Sequence, residues 1–475
     1  MFKDTLLIIF AQLIFVASGY AVHIGVGRIL GPERYGEFGV IMSLLAVLEI
    51  FLVRGIQDTV TKYGSEFPHR SRAIKRQGLK IETILAGILA LLVISTARPI
   101  ALAFHNINLT RPLQISAFVI PLFAIYSVFI GDLSGKRMFG KRAVSMSVQS
   151  LGKVAGVYFF ILLGFGLQGA ISGYVLASVL ALLTAFYFSK DERAESGTFP
   201  RSKLISFAVP IIIFSGTLSL LMNLDMLSVK TLIRESQAAG FYASAFALTR
   251  APYLIFSAFA ITLLPLISQS TSSNQFAEAS RYISQSLRFL LLLLAPVAFF
   301  TCGSSGPIIR LVYSSRYLPA SRPLAILIFG ITFLSLFSVL ATAITASGKP
   351  KISMAIALGL VPLDFLLIAL LVPRLGLTGA ATATTITCFV GLIVSAVWVK
   401  KKFGSLMNGS SFMRISLSST VLFFIPRLWM VTGWKLIPYA LALFGFYLLL
   451  LALLKEITRD DLDLARNFWT GLSAK

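Results

Sequence analysis

Four ionisable side chains stand near the middle of long apolar runs: Glu49, Lys153, Arg250 and Asp364. A charge at the centre of a bilayer costs about 2.5–3.5 kcal/mol on insertion scales, so such a residue usually faces a cavity or a partner. Two are acids and two are bases, a set suited to lining the path of a charged, polar cargo. The other reading is that they pair inside the helical scaffold and only hold helices together. Arg250 suits phosphate, because its planar fork donates two parallel hydrogen bonds. Arg28 and Arg54 lie nearer run ends and could add positive field. Arg54 could instead snorkel, or pair with Asp58 one turn on. Asp225, near the end of its run, could take a coupling cation or proton, or cap Lys230. The candidates are thus Arg250, Lys153, Arg54, Arg28, Glu49 and Asp364 for substrate, with Asp225, Glu49 and Asp364 for an ion, H⁺ or Na⁺.

Signatures of other chemistries are missing from the sequence. No G-x4-G-K-[ST] loop is present, so direct ATP drive within the chain is not expected. His23, His69 and His105 are scattered and do not read as a metal set. Cys302 and Cys388 fit no metal or redox spacing. A membrane glycosyl- or acyltransferase would need a loop domain or an embedded acid or histidine centre, and neither is evident. The expectation is no enzyme and no cofactor. The spacings Gly152-x3-Gly156 and Gly169-x3-Gly173 read as helix-packing faces. The basic stretch Arg70 to Arg76 reads as a topology anchor on anionic lipid.

The elements that must carry these residues follow from composition. The chain has 475 residues, of which 57% are apolar and 13% charged. An ordinary soluble domain is about 45–50% apolar and about 25% charged. That excludes a soluble enzyme, a disordered protein and a secreted disulfide scaffold, and points to a polytopic helical membrane protein. The runs fall at about 5–27, 37–57, 79–97, 112–131, 143–164, 169–188, 204–226, 241–264, 282–301, 323–346, 352–372, 378–399, 414–431 and 434–454. This predicts fourteen spans of about 20 residues each. The first run exceeds a signal-peptide core of about 7–15 residues and is expected to be a real helix. Connections are short, which leaves no room for an extramembrane domain.

The net charge of +23 sits in those connections. In a soluble protein it would suggest nucleic acid; here the positive-inside rule is the plainer cause, with an anionic substrate as a second. With the N-terminus in the cytoplasm, 27 of the 42 Lys and Arg fall on cytoplasmic segments and 12 outside, the rest being Arg54, Lys153 and Arg250 within runs. Both termini are therefore expected in the cytoplasm of a multi-pass cell-membrane protein.

An internal repeat is visible. Gly140 to Met146 recurs as Gly348 to Met354, an offset of 208. Gly166-Leu167-Gln168-Gly169-Ala170 recurs as Gly376-Leu377-Thr378-Gly379-Ala380, an offset of 210. More weakly, the Gly36 turn matches the Gly240 turn, an offset of 204. A repeat of six helices, an even number, predicts two parallel halves related by an axis along the membrane normal. The expected organisation is 1–200 as an N-terminal lobe, 201–402 as a C-terminal lobe, and 403–475 as a final helix pair with a tail.

Several segments resemble a known family. They are GRILGPERYGEFG from Gly27 to Gly39, the stretch from Asn223 to Ser268, PRLGLTGAATATT from Pro373 to Thr385, and ITRDDLDLARN from Ile457 to Asn467. Together they resemble the polysaccharide and oligosaccharide-lipid flippases of the multidrug/oligosaccharidyl-lipid/polysaccharide exporter superfamily. The resemblance implies a V-shaped two-lobe exporter with a central cavity, and a substrate of sugars on a polyprenyl phosphate or pyrophosphate. It implies that Arg250, in the ALTR segment, faces that cavity. The partners are then lipid-linked sugar and membrane lipids, with the chain acting as a monomer and no nucleic acid involved. A multidrug or cation exporter of the same superfamily is the nearest rival.

Overall fold

The computed structural model describes residues 2–190, 198–273, 275–404 and 406–456. The tail motif beginning at Ile457 lies outside them, as do Arg193, Arg459, Arg466 and Lys475 from the charge count.

The helices are α1 (Phe2–Glu66), α2 (Ser71–Ala103), α3 (Thr110–Ala117), α4 (Val119–Gly135), α5 (Phe139–Phe160), α6 (Gly166–Phe188), α7 (Arg201–Leu232), α8 (Ala238–Ser272), α9 (Phe276–Gly303), α10 (Ser305–Val312), α11 (Ser321–Ala346), α12 (Pro350–Leu375), α13 (Leu377–Phe403), α14 (Gly409–Leu428) and α15 (Leu436–Leu453). No strand occurs among the described residues. Each apolar run of the sequence lies largely in helix. Ten helical stretches are long and apolar enough to cross a membrane. Large apolar side chains such as Leu91, Leu162, Met413 and Leu428 are exposed. Water would penalise such surfaces and lipid does not.

Two of the ten stretches run for 57 and 50 residues. At about 1.5 Å per residue they would be more than twice the ~30 Å of hydrocarbon. Both are broken. In α1 the break is Gly31, at φ 78°, followed by Pro32. Proline removes a donor and pushes the residue before it out of the helical region, and glycine alone enters positive φ at little cost. Between α5 and α6, Gly164 and Gly166 take φ 88° and 53°.

The chain groups into two compact units: Met1–Ala247 with Ile368–Ala380, and Leu248–Leu367 with Ala381–Lys475. The division falls within α8, so α7 goes with the first unit. The physical reason is α7, which packs along α1. Ser219 Oγ donates to the Ala46 carbonyl at 3.1 Å, and Gly55 lets Ile212 and the Ala208 carbonyl come close.

In the first unit, α5 and α6 meet through the expected glycine faces. A Cβ on Gly156 would stand 3.0 Å from the Gly173 carbonyl oxygen. An ion cluster ties α2 to α4 and to the end of α6. Asp132, buried, pairs with Lys136 at 2.9 Å and Lys75 at 3.3 Å, and accepts from Ser189 Oγ. Lys75, expected as part of a lipid anchor, is therefore buried, while Arg72 and Arg76 remain exposed. In the second unit, Leu290, Leu294, Val339, Ile344 and Val399 form an apolar core. Buried Glu456 accepts from Arg288 Nε at 2.8 Å and lies 3.6 Å from Arg414, pinning the chain after α15 to α9 and α14.

Candidate functional site

Two of the four mid-run charges come together in the first unit. Glu49 projects from the second limb of α1 and Lys153 from α5, each partly exposed and each in the other's electrostatic field. They do not form a contact ion pair. Instead the Lys153 ammonium sits 5.0 Å from the Phe15 ring centroid and 5.2 Å from that of Tyr174. Aromatic faces attract a cation and replace part of its lost hydration. A lysine so held, with an acid nearby but not in contact, is free to donate to an incoming anion.

Arg250 is half-buried on α8 and groups with the second unit, as does Asp364 on α12. Asp364 is 1% exposed. It accepts from Thr387 Oγ1 of α13 at 2.9 Å, a bond that joins neighbouring helices. Arg54 is exposed and lies in the field of Asp58, one turn on. Arg28 is exposed at the end of the first limb of α1.

Asp225 is 0% exposed. It accepts from Tyr242 Oη at 2.6 Å and from the Met226 amide at 2.7 Å. Lys230 does not look to Asp225; its charged neighbours are Glu37 and Glu33. Glu37 is itself buried, paired with Arg34 at 3.1 Å and accepting from Asn106. This polar group at the α1 break joins Glu37 to Asn106, 69 positions on, and sets Lys230 in its field, and no sequence spacing announced it.

Two further sites escape sequence reasoning. Glu82 on α2 is 0% exposed, and neither carboxyl oxygen has a hydrogen-bond partner among the described residues. Its one visible signal was an acid inside the run 79–97. The second is Arg142 of α5, which reads in sequence as a topology charge. Its Nη1 donates to Ser134 Oγ at 3.1 Å. Its Nε, with the Tyr126 hydroxyl of α4 and the Ser145 hydroxyl, is buried with no partner among the described residues.

Residues 1–271 match the family described as polysaccharide biosynthesis protein, and residues 210–370 match the MatE family. A Shigella flexneri protein named for O-antigen transport is 24% identical over 76% of this chain and 88% of its own length. The lipid II flippase MurJ of Bacillus subtilis is 22% identical over 82% of this chain and 79% of its own length. The solved structure of a lipid II flippase MurJ in an inward closed conformation superposes with TM-score 0.76, covering 97% of this chain and all of that one at 16% identity. The likeness in fold thus extends over nearly all of the chain. Since more than half of its length matches the first family, this multi-pass membrane protein belongs to the polysaccharide biosynthesis protein family.

Proposed function

We propose that the protein flips a lipid-linked oligosaccharide or polysaccharide precursor from the cytoplasmic to the outer leaflet by alternating access. The observation that carries the reading is Lys153, held between aromatic rings at mid-run depth in a member of this family, with Glu49 in its field. A sugar headgroup on phosphate is large, polar and anionic, and cannot cross about 30 Å of hydrocarbon unaided. In this reading Arg250 and Lys153 hold the phosphate. Arg54 and Arg28 add positive field, and Glu49 and Asp364 line the path. The polyprenyl tail stays in lipid. Asp225, Glu49 and Asp364 are the groups proposed to couple H⁺ or Na⁺.

The architecture proposed for this work has fourteen spans, counting both limbs of α1 separately. It has two parallel six-helix lobes, 1–200 and 201–402, a final pair within 403–475, and both termini in the cytoplasm of the cell membrane. The chain acts as a monomer, not an enzyme. Restoring surface or wall glycan in cells that lack their lipid-linked-sugar flippase tests the function. The second reading, export of small organic cations, is favoured by the MatE match over 210–370. Extrusion of a cationic dye with no rescue of glycan would select it instead.

A further inference from the structure

Arg142 carries a guanidinium whose hydrogen-bonding face is only partly used. Nη1 reaches the Ser134 hydroxyl, which in turn donates to the Ile130 carbonyl. The buried Nε–H has no acceptor. Across from it on α4, Tyr126 is 4% exposed and its hydroxyl has no partner. Ser145, one turn along α5 from Arg142, is fully buried with its hydroxyl equally unmatched. Buried donors left unsatisfied are costly, and more so when charged. Native structures rarely leave such groups without something to bind.

Among the described residues the charged group in range of Arg142 is Asp58, which also lies in the field of Arg54. Asp58, on α1, lies in the field of Arg142 and of Arg54 without forming a contact pair with either. Both Asp58 and Arg54 are exposed. Two guanidinium groups, those of Arg142 and Arg54, thus share one carboxylate, Asp58. The missing partner is therefore an acceptor-rich anion, and an Arg fork with a phenol hydroxyl matches the oxygens of a phosphate ester.

We propose that Arg142 and Tyr126, flanked by Arg54, form a binding subsite for the phosphate group of a phospholipid-like ester. The subsite lies between the middle of α4 and the first turn of α5, away from the mid-run pair of Glu49 and Lys153, and would hold the phosphate before or after its passage. Only the choice of a lipid-linked sugar as the natural ligand rests on the flippase reading; the anion subsite does not.

The test uses the full chain in nanodiscs of zwitterionic lipid. Binding is measured for inorganic pyrophosphate and for a short-chain polyprenyl-pyrophosphate sugar, with phosphatidylglycerol-doped discs as a second arm. Arg142→Gln is expected to weaken binding of both probes by about tenfold or more, and Tyr126→Phe by about threefold. Tyr126→Phe removes a hydroxyl with no partner, so its fold is kept and its melting temperature serves as a check. Lys141→Gln removes the neighbouring charge and is expected to leave binding within about twofold, which separates a site from diffuse field. Competition by phosphatidylglycerol as strong as by the sugar lipid supports the subsite and assigns it to bulk lipid. Wild type that binds no pyrophosphate, or unchanged binding in both Arg142→Gln and Tyr126→Phe, overturns the proposal. Wild type that flips no lipid-linked sugar, yet binds pyrophosphate in an Arg142-dependent way, sinks the flippase reading and leaves the subsite standing.

Discussion

Gly36 and Gly240 pack backbone against backbone, so closely that a Cβ on Gly36 would lie 2.5 Å from the Gly240 amide nitrogen. One helical turn on, Gly39 meets the Ala243 methyl in the same way, 2.9 Å from an added Cβ. Both pairs are separated by the same 204 positions that relate the two turns in sequence. In the repeat expected from the sequence these residues are mates, and mates that touch lie beside the axis relating them, whatever its direction. It also explains the glycines at 36 and 39, where an added Cβ does not fit; Gly31, with open space around it, serves the break in α1 instead.

Gly36→Ala is therefore expected to lower thermal stability by about 1–3 kcal/mol, the usual cost of forcing extra volume into packed surroundings. Gly240→Ala should act likewise, since its Cβ would meet the Pro32 carbonyl. Gly87→Ala is the control, because nothing stands within 4 Å of its added Cβ; replacing glycine within a helix should be neutral or stabilising. Melting of the purified protein in detergent decides. Equal melting of Gly36→Ala and wild type would contradict the close packing.

Glu82 and Asp132 are both buried acids on neighbouring helices, and opposite outcomes are expected for them. Asp132→Asn leaves Lys75 and Lys136 facing a neutral group in a buried site and should cost about 3–5 kcal/mol, as in other broken buried pairs. Glu82→Gln breaks no hydrogen bond or ion pair and should hold or raise the melting temperature. A marked loss of stability in Glu82→Gln would show that its carboxyl has a partner after all.

Glu49 and Lys153 should behave as a coupled pair in transport. Lys153→Met is expected to slow flipping at least tenfold, and Glu49→Gln to slow it less. A double-mutant cycle on the flipping rate should return a coupling of about 0.5–3 kcal/mol. Strict additivity would mean that the two charges work independently.

Sidedness can be read with single cysteines at Arg76 and Lys401, both exposed. Lys75 would be a poor probe, since it is buried against Asp132. A membrane-impermeant thiol reagent should reach neither site from outside intact cells. Labelling of both from outside would reverse the proposed topology.

Much of the fold was legible because membrane helices are written in one dimension. Apolar length located the helices, and the Gly31-Pro32 step lies in the gap between the first two runs. The glycine pairs of α5 and α6 were legible for the same reason: packing faces repeat along one helix. Glu49 and Lys153 could be singled out by depth but not paired, because the aromatic rings beside Lys153 come from Phe15 and Tyr174, far apart in sequence. Arg142 and Tyr126 were hidden for a different cause. Their significance is an absence of partners, and only three-dimensional packing shows which donors go unmatched. The compact units follow packing, which a one-dimensional pattern does not show: α7 packs on α1.

The most direct measurement of the central claim is leaflet exchange of a fluorescent lipid-linked oligosaccharide in sealed vesicles carrying the purified protein. Wild type should move the headgroup across the bilayer far faster than protein-free vesicles. Arg250→Ala and Lys153→Met should each lose at least tenfold in rate while remaining folded, and export of small organic cations should be absent. Exchange in both variants at the wild-type rate would contradict the phosphate-holding roles, and no exchange by the wild type would contradict the function itself.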